Sequence, residues 1–307
     1  MELDLLFEYN GVMNVTERGA LLALLRSSGQ RWSAVADEVE SAGSAVQVLC
    51  GGASGQMSLF ELGGTDADAL AEAAERDIRA WEEEGLRFVT LLDDDYPAQL
   101  LTVHQRPPFL MLKGRPDEGD ARGVAIVGTR QASDEGVKSA HYLASALAKA
   151  GVPVVSGLAA GIDTGALSGA LSVGGRAVAV IGTGLHHSYP KANTGLQERI
   201  SRVGVVISQF LPDTPPTKAT FPMRNAVMSG YTAATVVVEA PYKSGARMQA
   251  RLALEHGRHV FLLESLLVND WAQAYAKRPN TTVVRSVNDV LDRIESVLAA
   301  DQDLVWA

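Results

Sequence analysis

The chain has 307 residues, of which 47% are hydrophobic and 21% charged, as expected for a folded globular protein with one sizeable core and a smaller accessory domain. Its formal net charge of −9 excludes a protein that is basic over its whole surface, so any nucleic-acid site has to be a local basic patch. A single cysteine excludes an internal disulfide framework. No apolar run is long enough for a membrane helix, and the acidic N-terminus lacks the basic start of a secretory signal, so we expect a cytoplasmic protein.

The first part of the chain, residues 1–85, is predicted to form a small helical accessory domain. A leucine-rich helical stripe follows Thr16 and stops near Gly29. Residues 86–122 are predicted to be a connecting segment that leads into the core, with two short strands (FVTLL and PPFLMLKG) and a polar linker. The acidic triplet DDD in this segment is interpreted as a turn, because consecutive carboxylates cannot converge on one ion from a regular element. We therefore expect no metal site.

From residue 123 to residue 307, short apolar runs alternate with helical patterns. Strands are predicted near 124–128, 152–156, 176–182, 203–208, 234–239, 258–263 and 281–285. Helices are predicted near 134–150, 161–173, 193–201, 224–231, 245–256, 270–277 and 287–299. Strands that are apolar on both faces are typical of a parallel sheet covered by helices on both sides. The predicted fold class is therefore α/β, a mostly parallel sheet with helices on both faces, preceded by the small helical domain.

Five motifs lie at or just after predicted strand ends: GTR, SGLAAGID, GTGLHHSYP, FPMRN and VVVEAPYKSGAR. The carboxyl ends of parallel strands meet at one edge of a sheet, where glycines let the backbone approach a ligand and helix starts offer free amides. Each motif alone is explained about as well by a plain turn, a helix cap or a solvated cation. Together the five predict one ligand crevice that binds phosphate groups.

The candidate phosphate- or nucleic-acid-binding residues all lie in these motifs or in the loop that precedes FPMRN. They are Gly128, Thr129, Arg130, Ser156, Gly157, Gly161, Asp163, Gly182, Gly184, Lys218, Arg224, Asn225, Glu239, Lys243, Ser244, Gly245 and Arg247. The pattern is neither G-x-G-x-x-G nor a P-loop, and a serine ends the second strand where a dinucleotide-binding protein carries an acidic ribose partner. A dehydrogenase is therefore disfavoured, and we assign no catalytic residue and no cofactor.

In order along the chain, the motifs resemble those of the DprA/Smf DNA-processing family. The resemblance extends from D-Y-P-x-x-L near residue 95 through the five motifs to G-R-x-V-F near residue 261. It implies a Rossmann-like domain that binds single-stranded DNA in a basic pocket, a homodimer, and delivery of a RecA-type recombinase onto DNA during natural transformation. It implies no catalytic activity. Carried over by motif, the pocket comprises Gly128, Thr129, Arg130, Ser156, Gly157, Lys218, Arg224, Asn225, Ser244 and Gly245.

Several positions depart from the family pattern and identify the chain as a divergent member. The family's R-N-R is Arg224-Asn225-Ala226 here, so one arginine is replaced, while Arg247 adds a cation within the family's S-G-S-x-x-T-A segment. The C-terminal winged-helix domain that is common in the family is not expected after residue 299.

Two alternatives to a DNA-binding mediator follow from the same crevice. The first is a Rossmann-like protein that binds or senses a free nucleotide, for example in genome defence, which the acidic net charge and the replaced arginine favour. The second is an enzyme that cleaves nucleoside monophosphates, with Glu239 and Arg224 placed over a ribose. The P-G-G-x-G-T-x-x-E motif of that enzyme group is absent from the sequence, so this alternative is disfavoured.

Overall fold

The computed structural model describes residues 15–51 and 64–305, and within them nine strands form a single sheet. The strands are β1 (Leu86–Thr90), β2 (Phe109–Gly114), β3 (Val124–Val127), β4 (Val154–Ser156), β5 (Ala177–Val180), β6 (Val205–Ser208), β7 (Ala234–Val237), β8 (His259–Leu263) and β9 (Thr281–Val284). Their order is β1-β2-β6-β5-β4-β3-β7-β8-β9. The first two pairings, β1 with β2 and β2 with β6, are antiparallel, and all the others are parallel. The prediction of a mostly parallel sheet is confirmed.

Helices cover the sheet on both faces, as the apolar strands predicted. They are α1 (Glu17–Ser27), α2 (Trp32–Ala42), α3 (Ala45–Leu49), α4 (Gly64–Glu83), α5 (Ala98–Leu101), α6 (Asp134–Lys149), α7 (Ile162–Ser172), α8 (Thr194–Val203), α9 (Thr220–Tyr231), α10 (Gly245–Glu255), α11 (Asp270–Ala276) and α12 (Val287–Val305). In β3, Val124 and Ile126 belong to one apolar core, shared with α6 and α7, whereas Ala125 and Val127 belong to another, shared with α9 and α10. This alternation is the period of a strand whose two sides are both buried.

The N-terminal helices share the first of these two cores. Leucines of α1 are packed in the same cluster as Phe88 and Phe109 of the antiparallel strands. The rings of Phe88 and Phe109 stack with centroids 4.8 Å apart, and the ring of Trp32 lies 5.2 Å from Phe109. Aromatic pairs at these separations add to the stabilisation that burial alone provides. Residues 1–14 and 52–63 of the predicted helical domain lie outside the described residues.

Residues 86–122, predicted from the sequence as a connecting segment, contribute β1 and β2 to the same sheet as the core. The division of the chain at residues 85 and 122 remains a prediction. None of the helices in the described ranges is long and apolar enough to cross a lipid bilayer.

The strand order reverses direction at β3, and this reversal positions the site. From β3 the chain adds β4, β5 and β6 on one side and then returns to add β7, β8 and β9 on the other. The loop after β3 and the loop after β7 therefore leave the sheet next to each other but lead to different helices. In open α/β sheets such a switch point forms a crevice at the carboxyl ends of the strands.

His186, in the loop after β5, joins the end of α4 to this carboxyl edge of the sheet. Its Nε2 lies 2.8 Å from a Glu84 carboxylate oxygen and its Nδ1 lies 2.8 Å from a carboxylate oxygen of Asp213. The hydrogen bond with Asp213, followed by that with Glu84, raises the pKa of His186 above its ordinary value of 6.5. A neutral imidazole has only one N–H, so it can donate to only one of the two carboxylates.

We expect the replacement His186→Gln to change how the stability of the protein depends on pH. Because the pKa is raised in the folded state, the stabilisation is fully present below about pH 6.5 and is lost as the pH rises through the folded-state pKa. Since both carboxylates are largely exposed, the effect should be about 0.2–1 kcal/mol. Urea unfolding of both proteins at acidic and alkaline pH measures it.

The control is His104→Gln, which removes an exposed histidine elsewhere in the chain and is measured over the same pH range. Equal losses of stability in His186→Gln at acidic and alkaline pH would contradict the proposed role of the charged imidazole, because a loss of packing alone would not depend on pH.

Candidate functional site

A cleft of about 450 Å³ opens at the switch point. The loops after β3 and β7 form two of its walls, and the starts of α7, α9 and α10 form the others. The predicted site residues that line it are Gly128, Thr129, Arg130, Asp163, Arg224, Asn225, Lys243, Ser244 and Gly245. Four motifs that are far apart in the sequence thus meet at one place.

Arg224, on the first turns of α9, is buried with 5% of its surface exposed. Its Nη1 donates hydrogen bonds to the carbonyl oxygens of Gly157 and of Val180, the latter at 2.7 Å, and its Nε donates to Asn225 at 2.9 Å. One planar guanidinium therefore ties α9 to the ends of β4 and β5. Only arginine offers several donors in a fixed plane, which explains the choice of residue type.

Asp163, in the first turn of α7, is the buried carboxyl group that accompanies Arg224. Burial raises the pKa of this carboxyl group, and the opposing effects of Arg224 and of the Ala159 amide, which donates to it at 3.3 Å, hold it down in part. Burial likewise lowers the pKa of Arg224 to about 10, against the effect of Asp163, so the guanidinium is still a cation at neutral pH. Each group thus favours the ionised form of the other, while burial opposes it.

Gly157 is required by this arrangement. A Cβ atom at this position would overlap the guanidinium of Arg224, so any side chain would displace the arginine. Gly161 has a different reason, because its φ of +78° is a left-handed conformation and a Cβ atom there would overlap the backbone of Thr129 and Arg130. Both glycines are needed because other parts of the protein pack closely against them. The sequence alone could not distinguish this role from close approach of a ligand to the backbone.

Many of the backbone amides predicted to face a phosphate are already used within the protein. The Thr129 amide donates to the carbonyl of Glu239 at 2.7 Å, and the Gln131 amide donates to the Thr129 hydroxyl at 3.2 Å. Ser244 caps α10, accepting a hydrogen bond from the Ala246 amide at 3.1 Å. Side chains at the rim are therefore left as the main contacts for a ligand.

Glu239 lies outside the cleft lining and has a structural partner. Its carboxylate accepts hydrogen bonds from the amide and the hydroxyl of Ser133, the latter at 2.8 Å, at the start of α6. Arg224, in contrast, is bound to backbone carbonyls. The two residues that an enzyme acting on a ribose would need are thus each engaged elsewhere, and the geometry does not support that alternative.

The rim of the cleft carries an arginine stacked on an aromatic ring. The Arg130 guanidinium lies 4.7 Å from the centre of the Phe221 ring. The centres of the Phe221 and Tyr189 rings are 5.7 Å apart. Arg130 and Phe221 line both the cleft and a smaller adjoining cavity of about 120 Å³, which Tyr189 also lines. Gly182 leaves the space that the Phe221 ring occupies. We name Arg130, Phe221 and Tyr189 the stacking rim.

Phe221 and Tyr189 are not among the predicted site residues, although they lie in the motifs FPMRN and GTGLHHSYP. The signal in the sequence for Phe221 is an aromatic residue at the end of a proline-rich loop, three residues before Arg224.

The remaining candidates lie around the cleft without lining it. They are Ser156, Gly157, Gly161, Gly182, Gly184, Lys218, Glu239 and Arg247. Gly157 and Gly182 line the smaller cavity instead, and Ser156 is buried and donates to the Ile126 carbonyl at 2.7 Å. Lys218 is exposed in the turn before α9. In the described part of the chain, no group of three or more His, Cys, Asp or Glu side chains could hold a metal ion.

The fold defines a Rossmann-like α/β protein with a cleft at its switch point. A sequence model of the family described as DNA recombination-mediator protein A matches residues 87–297, which is more than half of the chain. The chain belongs to this family, and the resemblance seen in its motifs is confirmed.

Curated relatives support the assignment. Protein Smf from Synechocystis is 42% identical over 186 residues, which are 59% of this chain and 47% of that protein. DNA processing protein DprA from Streptococcus pneumoniae is 38% identical over 208 residues, which are 67% of this chain and 73% of that protein. The match to Protein Smf thus spans only about half of the relative's length.

Two solved structures are also similar to this chain. The X-ray structure of DprA from Streptococcus pneumoniae has a TM-score of 0.64 at 29% identity and covers 91% of this chain and 93% of that one. DNA processing protein A from Helicobacter pylori, whose structure concerns a mode of single-stranded DNA binding, has a TM-score of 0.61 at 26% identity and covers 69% of this chain and 96% of that one.

We expect Arg224→Ala to lower the free energy of unfolding by about 2–6 kcal/mol, because it leaves the buried carbonyls of Gly157 and Val180 without their donor, at about 1–3 kcal/mol each. It also removes the cation that opposes protonation of the buried Asp163. Arg224→Lys should recover only part of the loss, since one ammonium cannot reproduce the planar fork. Urea unfolding followed by circular dichroism measures both variants.

Arg251→Ala, which removes an exposed arginine paired with Glu255, is the matched control and should cost less than about 1 kcal/mol. An unfolding midpoint of Arg224→Ala equal to that of the control would show that the buried guanidinium is not the tie described above.

Proposed function

We propose that this protein binds single-stranded DNA in the switch-point cleft and acts as a recombination mediator that delivers a RecA-type recombinase to that DNA, as in natural transformation. Membership in the DNA recombination-mediator family supports the proposal. So does the similarity to the Helicobacter pylori protein, whose structure concerns single-stranded DNA binding. The role is one of binding, without a catalytic step.

The stacking rim is the observation that carries the proposal. Unpaired bases bind to proteins by stacking on aromatic and guanidinium planes, which accept any base because every base has a π face. The Phe221 ring contacts both the Arg130 guanidinium and the Tyr189 ring, and Tyr189 is 45% exposed. Bases of a flexible strand can reach such a rim, whereas bases within a duplex are already stacked on each other.

Cations beside the rim are suited to the phosphates of the same strand. Arg130 and Lys243 are exposed and line the cleft. Arg224 is buried, and its Nη1 and Nε donate to protein oxygens, so we assign the phosphate contacts to the exposed cations instead. Exposed charges that are separated by more than about one Debye length are largely screened from each other. A protein with a net charge of −9 can therefore hold a strand through a few local cations that contact its phosphates.

Phe221→Ala is expected to weaken binding of a single-stranded oligonucleotide by about 1–3 kcal/mol, the range for loss of one stacked base. The slope of log K against log salt should stay unchanged, because no charge is lost. Arg130→Ala, in contrast, should reduce that slope by about 0.7, the value for one phosphate contact on a single strand. Fluorescence anisotropy over a salt series measures both quantities.

Arg79→Ala removes an exposed arginine on α4 and is the control for charge alone, with no change in slope expected. Full affinity of Phe221→Ala for the oligonucleotide would contradict the proposed site. Titration of the wild type with a mononucleotide in a calorimeter tests the other ligand class, since tight binding of the free nucleotide without binding of the oligonucleotide would favour a nucleotide sensor.

Delivery of a recombinase and homodimer formation belong to the same proposal through family membership. Sedimentation of the full chain tests the dimer. Formation of recombinase filaments on DNA already coated with a single-strand-binding protein tests delivery, which should require the wild-type rim and fail with Phe221→Ala.

A further inference from the structure

A second aromatic and arginine cluster lies beside the cleft, outside the site described above. It consists of Tyr242, Arg247, Tyr275 and Arg278, which we name the outer cluster. The Arg247 guanidinium lies 4.6 Å from the centre of the Tyr242 ring, and that of Arg278 lies 4.5 Å from the centre of the Tyr275 ring. Tyr242 is 55% exposed, so most of its surface is open to a ligand.

The outer cluster is continuous with the cleft along the chain. Tyr242 stands between Pro241 and Lys243, which both line the cleft. Arg247 follows Gly245 and Ala246, which also line it. A strand that leaves the cleft past the start of α10 therefore meets Tyr242 and Arg247 next.

The charge of Arg247 is not neutralised by a carboxylate. Within the described residues, no acidic side chain lies within 4.0 Å of the Arg247 guanidinium, whose neighbours are the hydroxyls of Tyr242 and Tyr275. Arg251, one turn further along α10, shows the contrast, because it pairs with Glu255 at 2.8 Å. The first turn of α10 contains no acidic residue either, and a cation there opposes the helix dipole. An anionic ligand would relieve both conditions.

From these observations we infer that single-stranded DNA continues from the cleft onto the outer cluster, with a base on Tyr242 and the adjoining phosphate on Arg247. The inference rests on the proposed function, since it extends the path of the same strand. The exposed tyrosine supplies a stacking surface, and the half-buried arginine supplies both a guanidinium plane and a phosphate contact. Arg278, stacked on Tyr275, adds a further cation at the far side.

The test compares a short oligodeoxythymidylate of about 4 nucleotides, which the cleft alone can hold, with one of about 15 nucleotides, which can reach the outer cluster. Tyr242→Ala should lower the affinity for the longer strand about tenfold and leave that for the shorter strand unchanged. Arg247→Ala should lower the salt slope for the longer strand by about 0.7, and Arg247→Lys should restore it. Arg251→Ala is the matched control on the same helix, with no change for either length.

Phe221→Ala separates the two proposals, because it should weaken binding of both lengths. Equal losses for both lengths in Tyr242→Ala would place Tyr242 in the cleft contact and overturn the extended path, as would wild-type affinity of Tyr242→Ala and Arg247→Ala for the longer strand. If the wild type binds neither oligonucleotide, the proposed function fails and the extended path fails with it. If Phe221→Ala weakens both lengths while the outer variants change nothing, only the extended path fails.

Discussion

The site depends on one buried guanidinium. Arg224 reaches from α9 to the carbonyl of Gly157 after β4 and to that of Val180 in β5, within electrostatic reach of Asp163 on α7. Four elements that come from separate parts of the chain thereby meet at one side chain. A buried charge of this kind is costly unless its donors are satisfied and an opposite charge is near. Here Nη1 and Nε donate to protein oxygens, and Asp163 favours the protonated guanidinium. The loops of the cleft are positioned by this network rather than by their own sequences.

This constraint explains why the cleft divides into a floor of internally hydrogen-bonded side chains and a rim of exposed cations. The arginine that the sequence favours most as a phosphate ligand is used in the floor, where it ties strands together. Arg130 and Lys243 lie at the rim instead, and the Arg130 guanidinium packs against the ring of Phe221. Affinity for an anion therefore depends on a few exposed side chains next to an aromatic ring. Such a division lets an acidic protein present a local site for nucleic acid without changing its overall charge.

The sequence predicted the architecture well, because strand and helix periods are local and are repeated along the core. The predicted strands and helices from residue 124 onward correspond to those in the structure within a few residues, and the strand ends do meet in one crevice. It could not separate glycines that admit a ligand from those that admit a neighbouring loop. Position 157 requires a glycine because a side chain there would overlap Arg224, which is 67 residues away in the sequence. No local sequence pattern could predict that contact. The stacking of Arg130 on Phe221 is likewise a tertiary contact between two motifs.

The position of Ala226 in the structure shows what the loss of an arginine from the R-N-R motif affects. Ala226 is buried, with 6% of its surface exposed, and it does not line the cleft, although Arg224, Asn225 and Met228 of the same helix do. Its replacement therefore changes the packing beneath α9 more directly than the charge of the cleft. Arg247, in contrast, is half-buried, and its guanidinium lies against the ring of Tyr242 next to the cleft. Its charge thus lies outside both the buried tie and the stacking rim, where a longer strand would meet it.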